Sequence, residues 1–361
     1  MMPDTAREVW ADLARFGAYS FSKAHASGYG VLAYRMVHLK ALFPAEFAVA
    51  FLNNGAGMYP KRVHLEDARR RGVRILGPCV MRSDAEFSIE NGAIRVGLGE
   101  IAGLSTASIA SILEARAARP FANVGDWLRR TRVSRTEAET LALAGACDVF
   151  GENRPCTLWR VLSTFEADHA RRTGRTSAGG DAQGSPALFP LERWRTPDPA
   201  PALGAFSLAR TIDIERRLFG FPVACHPLAP VLETMRRSGI VTADSIARHV
   251  GKRVRVAGLA SARRTVETKN GEPMLFLTLE DPTGLVECTF FPAAYARCAR
   301  MARRGGALVA FGRAEDHLGA ITINADALQP YSGSVIDAVG SDEERFTNGT
   351  GVPALEAPHC A

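Results

Sequence analysis

The sequence has no closely spaced pair of cysteines. Its seven are Cys79, Cys147, Cys156, Cys225, Cys288, Cys298 and Cys360, odd in number and scattered singly along 361 residues. That pattern excludes a disulfide framework and fits a reducing compartment. A structural zinc site needs ligands in tight local pairs, and the eight histidines complete no such set with these cysteines. Cys225 beside His226 reads as an ordinary pair. Long apolar runs are also lacking. Residues 31–52 are the most apolar stretch, but Arg35, His38, Lys40, Pro44 and Glu46 interrupt them, which excludes a bilayer span. Charged residues occupy the N-terminus where a secretion signal would need an apolar core. The expectation is a cytoplasmic protein with no membrane partner.

Composition supplies the positive side. At 47% hydrophobic the chain is long enough for two or more packed domains, each with its own core. A net charge of +6 and a pI near 9.1 favour a polyanionic partner such as nucleic acid, although the excess is modest for this length.

The N-terminal half reads as helices. Thr5 and Glu8 are spaced as a capping box, followed by Val9, Leu13 and Phe16 on one face. After a loop at 17–23, Tyr29, Leu32, Ala33, Met36 and Lys40 recur at helical spacing, and Pro44 marks a stop or restart. Residues 60–71 form another short helix ending at Gly72. The period then changes: Phe87 and Ile89, Asn91-Gly92, and Ile94 and Val96 predict a β-hairpin with a two-residue turn. Two helical segments over 97–116 flank a break at Gly103-Leu104-Ser105, with Ser105 capping the second. A further pair covers 124–130 and 135–144, the latter capped by Ser134 with Glu137 and closed by Gly145. Residues 168–203 are Gly-, Ser-, Pro- and Arg-rich and read as a linker with one apolar patch at Leu188, Phe189 and Leu191. A short helix over 212–219 leads into Gly220-Phe221-Pro222 and Cys225-His226-Pro227-Leu228.

Residues 252–330 alternate as strands. Val254 and Val256 alternate with Arg253 and Arg255; Leu275, Leu277 and Leu279 with Phe276, Thr278 and Glu280; Val286, Cys288 and Phe290 with Glu287, Thr289 and Phe291. Turns fall at Asn270-Gly271 and at Asp281-Pro282-Thr283-Gly284. Three strands, a helix over 292–301 and two more strands are the layout of a five-stranded OB-fold barrel. Such barrels bind single strands by stacking bases on aromatics and following phosphates with Lys and Arg. The outward set here is Arg253, Arg255, Arg263, Arg264, Lys269, Phe276 and Phe291. The bland alternative is that the arginines are merely solvated and the phenylalanines pack under a loop or a neighbouring domain. The Gly97-Leu98-Gly99-Glu100-Ile101-Ala102-Gly103-Leu104-Ser105 segment could present backbone N–H groups to a phosphate through Gly103 and Ser105; an inert helical corner is the alternative.

In order, these pieces resemble the alpha subunit of bacterial DNA polymerase III, the C-family polymerase, including its error-prone relatives. Phe21-Ser22-Lys23-Ala24-His25-Ala26 with Tyr29 and Tyr34, then Leu39-Lys40 and Pro44-Ala45-Glu46-Phe47, look like the end of that family's fingers. Asn53-Asn54, Gly57-Met58-Tyr59-Pro60 and Ala68-Arg69-Arg70-Arg71-Gly72-Val73 look like the error-prone or accessory branch. Ile94-Arg95-Val96-Gly97-Leu98 with Ile101-Ala102-Gly103-Leu104 resembles its helix-hairpin-helix segment, with Ser105 where a second glycine is usual. Ala144-Gly145-Ala146, Asp148, Asn153-Arg154, Gly220-Phe221, His226-Pro227-Leu228 and the barrel complete a match over about residues 5–330.

The resemblance implies a multidomain α+β chain: fingers-like helices at 1–75, hairpin and helix-hairpin-helix region at 76–165, flexible linker at 166–205, connecting helices at 206–250, OB fold at 251–331 and a disordered tail at 332–361. It places Lys23 and His25 near the incoming nucleotide or template. The family's metal-binding palm would lie before Thr5. Two-metal phosphoryl transfer needs clustered carboxylates, and no Asp-x-Asp pair occurs in this sequence. The expectation is therefore a DNA-binding C-terminal part of such a polymerase, serving replication or error-prone repair synthesis, with no catalytic or metal-binding residue of its own. Mg²⁺ enters only if a partner chain supplies the palm. The alternatives are half of a split DNA polymerase completed by that partner, and a general single-stranded nucleic-acid-binding OB protein.

Overall fold

The computed structural model describes residues 3–18, 23–55, 57, 59–172, 201–303 and 306–332. Most of the expected linker, including Leu188, Phe189 and Leu191, lies outside these residues, as do Phe21, Ser22, Met58 and the tail after 332.

Helix α1 (Pro3–Ala18) begins two residues before Thr5, so the cap expected at Thr5 does not form; proline suits a first helical turn and moves the start upstream. Helix α2 (Lys23–Leu42) ends just before Pro44, which opens α3 (Pro44–Asn53), and the two meet at a bend of 120°. The bend follows from proline's missing N–H and its clash with the carbonyl four residues back. Among the described residues no single helix is long and apolar enough to cross a membrane, although the bent α2–α3 pair qualifies by length and composition alone. Apolar side chains along α2 stand in solvent, among them Tyr29, Leu32, Tyr34 and Val37.

Helix α4 (Lys61–Arg70) leads to a small sheet of β1 (Ile75–Leu76), β2 (Ser88–Glu90) and β3 (Ala93–Arg95), in the order β1-β3-β2. The β2–β3 turn has positive φ at both Asn91 (52°) and Gly92 (73°), the geometry that matches strand twist in a two-residue hairpin. Strand β1, parallel to β3, is too short to show a period in sequence. A 3₁₀ turn at Leu98–Glu100, rather than a first α-helix, precedes α5 (Thr106–Ala118), α6 (Val124–Arg130), α7 (Arg135–Leu143) and α8 (Arg154–Arg172). One core holds these elements together, from Ala45 through Trp127 to Val161, and takes in Phe219, Phe221 and Val223. Residues on both sides of position 75 share it.

Helix α9 (Leu208–Phe219) starts earlier than its apolar pattern suggests because Ser207 caps it, its side chain accepting from Arg210 N–H. After α9 the chain turns through His226, which is buried with Nδ1 accepting from Leu228 N–H at 3.1 Å. Burial, aided by nearby arginines, pushes the His226 ring down to about 3. Helix α10 (Leu232–Arg237) then delivers the chain to the barrel.

Strands β4 (Arg253–Glu267), β5 (Pro273–Asp281) and β6 (Gly284–Phe290), helix α11 (Pro292–Ala302) and strands β7 (Ala307–His317) and β8 (Ala320–Pro330) form a closed barrel in the order β4-β5-β6-β8-β7. Leu275, Leu277, Leu279, Val286, Cys288 and Phe290 point inward, so the period-two pattern gives the inner face. Asp281 fixes the β5–β6 turn, accepting from Thr283 N–H at 2.6 Å and Gly284 N–H at 2.9 Å.

The barrel is joined to the helical module by charge. Glu280 faces outward from β5 yet is only 1% exposed, because α4 covers it. Its carboxylate is ion-paired with Arg62 and with Arg70, the latter at 2.8 Å, and Arg70 also donates to the Asp281 carbonyl at 3.0 Å. Burial works to raise the Glu280 pKa, but the two guanidinium groups outweigh it and hold the acid below its ordinary value. Alongside, Glu66 pairs with Arg69, which donates to the Val223 carbonyl at 2.9 Å. Burial raises the Glu66 pKa despite that partner.

Removing one member of a buried pair leaves the others desolvated without compensation. Glu280→Ala is expected to lower unfolding stability by about 3–5 kcal/mol, measured by urea titration; a drop within about 1 kcal/mol, the range of an exposed pair, would show that this joint contributes little.

Candidate nucleic-acid interface

The expected binding residues fall into separate places. Strand register puts Arg264 opposite Phe276, and Phe276 opposite Thr289, so these three lie in one row across β4, β5 and β6. Directly opposed residues of antiparallel strands project to the same face. Arg263 is opposite Leu277, an inward residue, so the two neighbouring arginines point to opposite sides and only Arg264 shares the face of Phe276. Phe276 is half-buried and Arg264 exposed. Lys269 sits in the β4–β5 turn, next to Asn270-Gly271, where Gly271 takes φ +76°. Phe291 does not continue the outward row of β6. That strand ends at Phe290, and Phe291 is the exposed residue preceding α11; Pro292 forces the chain out of the ladder at this point.

Arg253 and Arg255 lie at the other end of β4, opposite Arg313 and Phe311 of β7. Arg253 is ion-paired with Asp326, and Arg255 donates to the Ser238 carbonyl.

In the helical module, Gly103 adopts φ +83° with open space where a side chain would stand. Ser105 caps α5 through its hydroxyl, which accepts from Ser108 N–H at 3.1 Å. Its own N–H donates to Glu137 at 2.9 Å. Glu137 also accepts from Ser108 Oγ–H at 2.9 Å, Ser134 N–H at 2.9 Å and the Ser134 hydroxyl at 2.7 Å. One carboxylate thus ties the starts of α5 and α7 together. Burial works against the charged form, but these donors prevail and hold the Glu137 acid down to about 2. The amide at Ser105 is therefore occupied by the chain's own carboxylate.

Lys23 opens α2; the placement of its side chain lies outside what is described. His25 is exposed and packs edge-on to Tyr29, with ring centroids 4.6 Å apart. No group of three or more His, Cys, Asp or Glu among the described residues is placed to hold a metal ion.

Residues 72–156 match a helix-hairpin-helix motif family, and residues 254–331 match an OB-fold nucleic acid binding domain family. Over 91% of its length the chain is 32% identical to an error-prone DNA polymerase of Symbiobacterium thermophilum, covering 33% of that protein. The chain is a homologue of proteins named error-prone DNA polymerase. It is also 34% identical over 91% of its length to an error-prone DNA polymerase of Anaeromyxobacter sp., covering 28% of it. With the DNA polymerase III subunit alpha of Bacillus subtilis it shares 30% identity over 86% of the chain and 28% of that protein. This polymerase homologue thus spans about a third or less of the length of the relatives it matches. The two matched regions of the homologue are the helical module held by Glu137 and the barrel held by Glu280.

The Glu137 acid titrates lower in the folded protein than in the unfolded chain, so its contribution is complete above the ordinary carboxylate value of 4.5 and disappears as pH falls towards about 2. A gap of this size corresponds to about 3 kcal/mol. Glu137→Gln is expected to remove most of that acid-dependent part of the unfolding free energy, read from denaturant titrations between pH 5 and pH 3; an unchanged slope would show that the carboxylate does not carry it.

Proposed function

We propose that this chain is the DNA-gripping C-terminal part of a C-family DNA polymerase, acting in replication or error-prone repair synthesis, and that it does not itself perform nucleotidyl transfer. The observation that supports this most strongly is the row Arg264–Phe276–Thr289 on an OB-type barrel. It sets a cation beside an aromatic ring on one exposed face, the combination that holds a single strand without reading its sequence. The hairpin at Gly103 adds backbone amides that suit a phosphate whatever the base. Two-metal transfer needs converging carboxylates. Two of the buried acids described in this chain are engaged elsewhere, Glu280 with Arg62 and Arg70 and Glu137 with the helix caps. On this reading the polymerising carboxylates and their Mg²⁺ belong to residues outside this stretch.

A second reading, half of a polymerase completed by another chain, is favoured by the exposed apolar length of α2, where Tyr34 and Val37 are 71% and 67% exposed. Patches of that kind mark interaction surfaces. It differs from the first in that adding the completing chain would restore synthesis.

Binding of a fluorescent single-stranded oligonucleotide is expected to weaken steeply with salt as added cations compete with Lys and Arg for the phosphates, and Phe276→Ala to weaken it by about 1–3 kcal/mol by removing a stacking surface. Affinity indifferent to both would remove the barrel face from the reading. Primer extension by the purified chain with magnesium is expected to be absent; robust synthesis would overturn the division of labour proposed here.

A further inference from the structure

A cavity of about 360 Å³ opens on the β4–β7 side of the barrel, away from the Arg264–Phe276 row. Its lining includes His249, Lys252, Arg253, Arg255 and Phe311, and no Asp or Glu. From Arg255 to Arg264 the chain runs nine residues along β4, about 30 Å at 3.3 Å per residue. The two places are distinct surfaces of one barrel.

The cavity wall is built from the backbone outward. Val241 N–H donates to the Arg255 carbonyl at 2.7 Å, and Val241 bridges in parallel to Val256. This lays the segment before the barrel along the first strand as one wall. Gly251 N–H donates to the Ala314 carbonyl at 2.8 Å, and Ala314 N–H returns to the Lys252 carbonyl at 3.0 Å, fixing the entry of β4 against β7. Gly239 takes φ +76°, and a side-chain carbon there would come within 3.0 Å of the Arg255 guanidinium. The positive φ favours glycine at this turn, and Arg255 lies across it to reach the Ser238 carbonyl.

The charges differ in how far they are balanced. Arg253 is neutralised by Asp326. Arg255 bonds a neutral carbonyl and has no acidic partner among the described residues, and Lys252 is exposed at the rim. Arg313, opposite Arg253 in register, adds a further positive charge nearby. Phe311, half-buried and opposite Arg255, supplies an apolar floor. The volume lies at the small end of ligand pockets, which run from about 300 Å³ upward. A cationic rim over an aromatic floor suits an anion attached to a flat ring.

We propose that this cavity binds the phosphate of a nucleotide, with Lys252 and Arg255 holding the phosphate and Phe311 against the sugar or base. The phosphate belongs either to a strand already engaged elsewhere on the barrel or to a free nucleotide; the strand case rests on the nucleic-acid reading given above.

The test uses the full chain with Lys252→Glu, Arg255→Ala and, as a control on the other face, Arg264→Ala. Unchanged melting temperatures establish that the variants fold, and Lys252→Glu alters an exposed side chain should Arg255→Ala loosen the Ser238 turn. If the phosphate comes from a strand, each cavity variant weakens oligonucleotide binding about three- to tenfold and lowers the salt slope by about 0.7 for each phosphate that is no longer neutralised. If it comes from a free nucleotide, calorimetry with dATP shows binding by the parent chain that is absent from both cavity variants. The proposal is overturned if oligonucleotide affinity, salt slope and dATP binding are all unaltered in the cavity variants while Arg264→Ala impairs strand binding. Failure of the parent chain to bind any oligonucleotide, with dATP bound by the parent and not by Lys252→Glu, would sink the nucleic-acid reading and leave the cavity standing.

Discussion

Glu280 is an acid shut away from water on the outside of a barrel, and it survives as a carboxylate only because Arg62 and Arg70 reach it from another part of the chain. The cost of burying an ion is recovered through close partners or not at all, so this contact either forms completely or leaves a charge stranded. That all-or-none character gives the barrel one preferred seating on α4. Neighbouring groups repeat the arrangement: Arg69 spans from Glu66 to the Val223 carbonyl, and Glu215 accepts from Val223 N–H at 2.7 Å and Ala224 N–H at 2.8 Å. The helical module and barrel are therefore fastened by directional charge contacts between α4 and β5, while the connecting stretch packs Phe219, Phe221 and Val223 into the helical core and Leu228 and Met235 against Ala257 and Val309 of the barrel.

Within the helical module a single carboxylate has the same office. Glu137 belongs locally to the cap of α7, yet it reaches back to Ser105 and Ser108 at the start of α5. Two helix starts that could each face an anion in solution share one supplied by the protein. This orders the hairpin and withdraws one of its amides from other partners. The nucleic-acid grip proposed for this molecule consequently leans more on the barrel than on the hairpin.

Much of the architecture was legible in sequence because it is written in short periods. The alternation through Leu275, Leu277 and Leu279, the Asn91-Gly92 turn and the Ser134–Glu137 capping box are each decided by neighbours a few residues apart, and the structure has all three. The failures share a cause. Strand β1 is two residues long and takes its partner in parallel from β3, leaving no period to read. Phe291 continues the alternation of its strand in sequence, but Pro292 ends the ladder at Phe290. The splitting of the arginines into two surfaces depends on register and on the irregularity between Ala260 and Ala262, which reverses which face later residues meet. Neither the Arg62–Glu280 pair nor the wall made by Val241 against β4 has any local signature, since both join residues that only the fold brings together.

Helix α2 carries apolar side chains around its circumference, and a helix of that kind is ordinarily covered. Its twenty residues make a rod about 30 Å long. Kosmotropic salts such as sulfate strengthen apolar association while they screen attraction to phosphate. On the proposed reading the barrel and α2 answer such salts in opposite senses: conditions that loosen the barrel from a polyanion make the α2 rod more adhesive, and dilute buffer reverses both.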